Sequence, residues 1–137
     1  MRASAHEALL KGVADKGARL REVRRELLRQ QPGQTQRWFQ GPDGCDLFLW
    51  YDARGGLSQV QITVEHRVVE WSPAEGLRTG RLVSFNPLQP LNDQGKLEFD
   101  PHPDAAALEL AQVLLSSARV DEVTMMAVRK QLGLRRQ

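Results

Sequence analysis

A single cysteine, Cys45, stands among 137 residues, so no disulfide can close within the chain and a secreted, disulfide-stapled scaffold is excluded. Only three histidines accompany it, His6, His66 and His102, and they are too scattered for the short Cys/His spacings of a zinc site. No run approaches the ~18–20 apolar residues of a membrane span, and the opening stretch MRASAHEALLKGVADKG holds no apolar segment of signal-peptide length. A soluble, cytoplasmic protein without a membrane partner is the expectation. Neither GxxxxGK[ST] nor GxGxxG occurs, which removes two phosphate-cradling loops. Asp43/Asp46 and Asp93/Asp100 do not supply the alternating carboxylates of a calcium loop, so no metal and no other cofactor is expected.

What is present suffices for one packed core. Apolar residues make up 41% and charged residues 26%, the balance of a globular chain. The expected organisation is a single domain, 1–137, with a helix in 1–33, an antiparallel sheet in 35–99 and a helix pair in 100–137. The net charge of +2 is unevenly spread. Residues 1–37 carry nine Lys/Arg against four Asp/Glu, and residues 38–100 carry five against nine. Such a split suits self-association or docking of opposite patches better than it suits nucleic acid, which calls for a strongly basic surface.

From Ser4 to Gln31 the apolar residues Leu9, Val13, Leu20, Val23 and Leu27 keep to one face of a 3.6-residue period, predicting one long helix that stops at Pro32-Gly33. On the opposite face Arg21, Arg25 and Arg29 recur at i, i+4, i+8, with Arg24 beside them. They form either a basic ridge for an acidic partner or phosphates, or a solvated face neutralised by Glu22 and Glu26.

The stretch from Cys45 to Trp71 holds two of the three tryptophans and the only tyrosine. A strand over Thr35 to Gln40 precedes it, closed by the turn Gly41-Pro42-Asp43-Gly44. In Asp46–Asp52, Leu47, Leu49 and Tyr51 point one way, Phe48 and Trp50 the other, so both faces are apolar. Asp52 to Gly56 then turns the chain into a return strand in which Val60, Ile62, Val64 and Val68 share a parity. His66 interrupts that parity, as a buried imidazole, a bulge or a ligand. Thr79–Phe85 reads as a fourth strand, and Leu97-Glu98-Phe99 as a short fifth inside a proline-rich connection, 86–103.

Asp100 to Asp104 supply an acidic N-cap for a helix reaching about Ser116, buried through a face of Leu108, Ala111, Leu115 and Ala118 that Leu110, Val113 and Leu114 widen. A last helix, Glu122 to Leu132, ends on Gly133-Leu134 as a Schellman stop, with Met125, Val128 and Leu132, flanked by Val123 and Met126, as its apolar surface. The fold class is α+β: a long N-terminal helix, an antiparallel sheet of four to five strands and two C-terminal helices packed on the sheet.

Chemistry is sparse. Cys45 is the one candidate nucleophile, but Asp43 and Asp46 beside it would raise its pKa. Asp46, Asp52, Glu65 and Glu70 have the residue type for acid/base work, yet acidic residues at strand ends and on wet faces are ordinary. The helix pair invites a helix-turn-helix reading, which Asp121-Glu122 and Met125-Met126 at the presumed recognition helix argue against. No catalytic residue is assigned.

Arg37-Trp38-Phe39, then Asp46-Leu47-Phe48 with Trp50 and Asp52, then Gly56, Gln59 or Gln61, and Glu70-Trp71 together resemble a small bacterial family of uncharacterised proteins with an RW[FY]…DLFxWxD…ExxW arrangement. The similarity covers residues 37–71, about a quarter of the chain. It implies a bacterial source and a strand core of that type, and brings no activity, cofactor or ligand. The resulting expectation is a non-enzymatic protein-interaction or adaptor module, self-associating or docking in a larger complex. Arg21, Arg25, Arg29, Phe48 and Trp50 are its candidate contacts. The Phe48/Trp50 face is either covered by the first helix or is where a protein partner binds. The alternative is a nucleic-acid-associated accessory protein using the basic first helix and the tail at Arg135 and Arg136.

Overall fold

A computed structural model describes residues 4–28, 30–83 and 96–134. Helix α1 (Ala5–Ala18) is followed by strands β1 (Arg21–Glu22), β2 (Thr35–Gln40), β3 (Asp46–Tyr51), β4 (Leu57–Val64), β5 (Arg67–Ser72), β6 (Gly76–Val83) and β7 (Lys96–Phe99), then helices α2 (Ala105–Ser117) and α3 (Glu122–Leu132). The class is α+β. The seven strands form one sheet in chain order, each antiparallel to its neighbour, rather than a sheet of four to five.

The first helix is shorter than the apolar periodicity of 4–31 predicts. The helix ends at Ala18, where Arg19 and Leu20 donate backbone N–H groups to Lys16 and Gly17 carbonyls. The chain then pairs as a strand, Arg21 opposite Gln40 and Glu22 opposite Phe39, and Leu20 turns into the core. Of the supposed stripe, Val13 and Leu20 are buried, whereas Leu9 and Leu27 are exposed. A 3.6 period across 4–31 was accidental beyond residue 18, because cross-strand pairing with β2 satisfies the backbone of 21–23 instead.

Two left-handed residues, Glu65 (φ 52°) and His66 (φ 63°), make a two-residue turn between β4 and β5. Positive φ at both central positions is the type I′ signature, which fits the right-handed twist of a hairpin. One expected strand is therefore two, and the turn resets the alternation: Val64 pairs with Arg67, while Val68 pairs with Thr63 and faces away from Val60, Ile62 and Val64. His66 is exposed at this turn and is neither a buried imidazole nor a bulge.

The helices build the core on one side of the sheet. Phe39, Leu47, Leu49, Val60, Ile62, Val64 and Val69 meet Val13 and Leu20 from the N-terminal segment, Ala107, Leu110, Ala111, Leu114 and Leu115 of α2, and Met125, Val128 and Leu132 of α3. Helix α2 lies against β4, β5 and β6 with α1 packed on it. Its N-cap Asp104 accepts from Ala107 N–H, and Asp121 does the same for Thr124 in α3. Gly133 (φ 68°) closes α3, with Leu134 N–H reaching Arg129 O at 2.9 Å. The apolar surface expected of α3 is narrower than its sequence suggests, since Val123 and Met126 face solvent. Phe85 and most of 86–103 expected as strand end and connection lie outside the described residues up to Gly95. No helix among the described residues is long and apolar enough to cross a membrane.

Candidate docking surface

Strand alternation puts every second side chain on the sheet face away from the helices, and pairing aligns these side chains into rows. One row runs Trp38, Phe48, Gln61, Glu70, Arg78 across β2 to β6. A second runs Arg21, Gln40, Asp46, Thr63, Val68, Gly80, Phe99 across the whole sheet. Beside the first row lie Gln36, Trp50 and Gln59. Trp38, Phe48 and Trp50 are absent from the core cluster and half-buried, whereas Val68 and Glu70 at the β5 end of the same face are buried.

The three rings form one stack. Trp38 and Phe48 have centroids 5.2 Å apart at 13°, and Phe48 and Trp50 are 5.8 Å apart at 22°. Trp38 Nε1 donates to Asp46 Oδ1 at 2.8 Å, which fixes the indole. Burial raises the Asp46 pKa above its ordinary range, and this hydrogen bond partly offsets the rise. Further along, Arg78 donates to Glu70 at 2.6 Å and its guanidinium sits 3.8 Å above the Phe99 ring. Leu82 and Phe99 are among the large exposed apolar side chains. Charges on this described face balance: Arg21 and Arg78 against Asp46 and Glu70.

The arginine ridge does not form. Arg21 sits in β1, Arg25 in a 3₁₀ turn (Arg25–Leu27), and Arg29 lies outside the described residues. A helical spacing places residues on one face only if the helix exists, and here it stops three residues earlier than Arg21. Glu22 is held chiefly by an arginine that local spacing does not suggest: Arg37 donates through Nε and Nη2 to its two carboxylate oxygens, both at 2.9 Å, and through Nη1 to Thr124 Oγ1 at 3.0 Å. This bidentate pair lowers the Glu22 pKa and raises that of Arg37. It ties β1 and β2 to the start of α3. Arg25 reaches Glu22 at 3.8 Å.

A cavity of about 480 Å³ opens beside this network, lined by Arg25, Gln30, Thr35, Tyr51 and Thr124 among others. Arg37 on its wall spends its donors on Glu22, Thr124 and Asp121, so it offers little to a ligand. Gln30 is likewise occupied: its Oε1 accepts from Gln36 N–H at 2.9 Å and its Nε2 donates to Gln36 O. That side chain plugs the outer edge of β2 where β1 ends, removing a template for strand addition.

The candidate catalytic groups have structural partners. Cys45 is buried, and its thiol pKa is pushed up first by burial and then by Asp46. Asp52 accepts from Arg54 and Gly56 N–H, both at 2.9 Å, and closes the β3–β4 turn. Glu65 is paired with Lys16, and Glu70 with Arg78. Among the described residues no three His, Cys, Asp or Glu side chains gather to hold a metal ion. Compared with protein-family models, curated proteins and solved structures, the chain finds no match.

Proposed function

We propose that the protein is a non-enzymatic interaction module that binds another protein surface through the aromatic β2–β3 part of the sheet face opposite its helices. The stack of Trp38, Phe48 and Trp50 on the face opposite all three helices carries this reading. Aromatic side chains that a chain's own core does not use are the residues that anchor protein interfaces, where they bring large area at small entropic loss. The balanced charge of the face supports a protein partner over nucleic acid, because a stacking platform for bases needs a cationic rim to meet the phosphates. Capture from a native lysate, with and without nuclease, compares the wild-type chain with Trp50→Ser. Nuclease-insensitive association that depends on Trp50 is expected. Salt-dependent retention on nucleic acid by both proteins would sink the reading in favour of the accessory-factor alternative.

A further inference from the structure

We propose that the cavity between β2, β3 and the start of α3 is a binding site for a small monocarboxylate with an apolar, ring-sized body, and that Arg25 receives the carboxylate. The site is separate from the aromatic stack and does not rest on the docking reading.

The cavity exists because the helical layer stops short of one corner of the sheet. The cross-strand pairs Phe39–Leu47, Arg37–Leu49 and Thr35–Tyr51 share the helix side. Phe39, Leu47 and Leu49 are covered and belong to the core, whereas Arg37 and Tyr51 are half-buried and Thr35 is exposed. Helix α2 lies against β4, β5 and β6, so this corner is left to Thr124 at the start of α3 and to the segment carrying Arg25 and Gln30. The hollow of about 480 Å³ that results has the size of a small-molecule site, and its wall is more carbon than polar.

The chemistry of the wall selects the ligand. With Arg37 and Gln30 committed to partners inside the chain, the cation left on the wall is Arg25. Its one ion contact is from Nε to Glu22 Oε2 at 3.8 Å, too long for a hydrogen bond, and both Glu22 oxygens already accept from Arg37. Among the described residues the two Nη groups of Arg25 have no hydrogen-bond partner. They present the planar fork that matches a carboxylate. Thr35 and Tyr51, cross-strand neighbours on the same wall, add a hydroxyl and a flat ring.

Charge sets the valence. Glu22 is matched by Arg37, and Asp121 accepts from the Thr124 N–H in the first turn of α3, so one cation remains in excess. A dianion such as phosphate would bring a second charge close to Glu22 and Asp121 with nothing to offset it. A single carboxylate uses the excess without that repulsion, and the carbon wall takes the rest of the molecule.

The test is a two-dimensional proton–nitrogen NMR titration of the full chain with hydrocinnamate, with its neutral isostere hydrocinnamamide, and with inorganic phosphate. Hydrocinnamate is expected to give saturable shifts at the Thr35, Gly55 and Thr124 amides and to bind about tenfold more tightly than the amide, the worth of one charge-assisted pair. Arg25→Gln is expected to weaken hydrocinnamate by about tenfold and so erase that preference. Arg25 is exposed, and an otherwise unchanged spectrum establishes that the variant is folded. Equal binding of acid and amide by the wild-type protein, or a preference that survives in Arg25→Gln, overturns the proposal. So do shifts that never saturate, and phosphate that moves the same amides at lower concentration than hydrocinnamate.

Discussion

Two glycines on α1 should respond to alanine with opposite sign, and the difference measures how closely that helix packs on α2. At Gly12 a methyl group would meet nothing within 4 Å. Replacing a solvent-facing helical glycine by alanine removes backbone entropy from the unfolded chain and gains about 0.5–1 kcal/mol. At Gly17 the same methyl would stand 2.2 Å from the Leu114 carbonyl oxygen and 2.3 Å from Ser117 Oγ. The carbonyl belongs to the α2 backbone and cannot rotate away, while Ser117 Oγ is held by contacts to Val113 and Leu114 carbonyls. Overpacking of this kind costs about 3 kcal/mol, against a propensity gain of about 1 kcal/mol, for a net loss of about 2 kcal/mol. Urea titration followed by tryptophan fluorescence reads both. With a slope of about 2 kcal/mol/M, Gly17→Ala lowers the midpoint by about 1 M and Gly12→Ala raises it by about 0.3–0.5 M. Equal increases in the two variants would refute the α1–α2 contact on which the helical layer depends.

Other outcomes follow from particular contacts. His66→Gly should raise stability by about 0.5 kcal/mol, because glycine adopts the left-handed conformation freely, and His66→Val should lower it by about 1 kcal/mol; thermal melts of the two variants moving in the same direction would contradict the turn. Arg37→Met should cost about 2 kcal/mol by leaving Glu22 and Thr124 without their donor, and chemical denaturation would show no loss if the network were idle. Acid should destabilise the fold: Glu22, Asp104 and Asp121 have pKa values below their ordinary 4.5, 3.8 and 3.8, held down chiefly by Arg37, by the Ala107 N–H and by Thr124 respectively. The unfolded chain then takes up these protons first, so their stabilisation is full above about pH 5 and is lost as pH falls through the folded values, with Asp46, raised by burial, acting in the opposite sense. Urea midpoints independent of pH across this window would refute the assignment. Cys45 should resist a thiol reagent until the protein unfolds, since it is buried and held protonated; rapid labelling of native protein would show an opening that the structure lacks.

The local rules that held were those with a short-range cause. An acidic cap before an apolar run placed the start of α2, and glycine followed by leucine placed the end of α3. The alternation in Asp46–Tyr51 separated Leu47 and Leu49 from Phe48 and Trp50 correctly. What failed needed distant partners. Nothing local distinguishes residues 19–28 from helix, because the competing interaction is a strand nineteen residues away in sequence, Arg21 opposite Gln40. The β4–β5 turn was hidden because Glu-His lacks the usual Asn-Gly chemistry; its one visible trace was the broken parity at His66. Arg37 was legible as part of a pattern but not as a fastener, since Thr124 and Asp121 join it only through the fold.

The side chains of this face differ in how well they can test the docking surface. Trp38 and Phe48 stack across β2 and β3, and such cross-strand aromatic pairs themselves stabilise a sheet by about 0.5–1 kcal/mol. Their removal therefore weakens fold and interface together, and a lost interaction would not say which had failed. Gln61 is different. It pairs with Phe48 on one side and Glu70 on the other, belongs to no ring stack or ion pair, and contributes nothing to the helix-side core. A charge placed there is half-exposed on a strand that Val60 and Ile62 anchor from the opposite face. Loss of nuclease-insensitive capture in Gln61→Lys, with an unchanged far-ultraviolet circular dichroism spectrum, would consequently report the surface alone, whereas a changed spectrum would point to damage to the sheet.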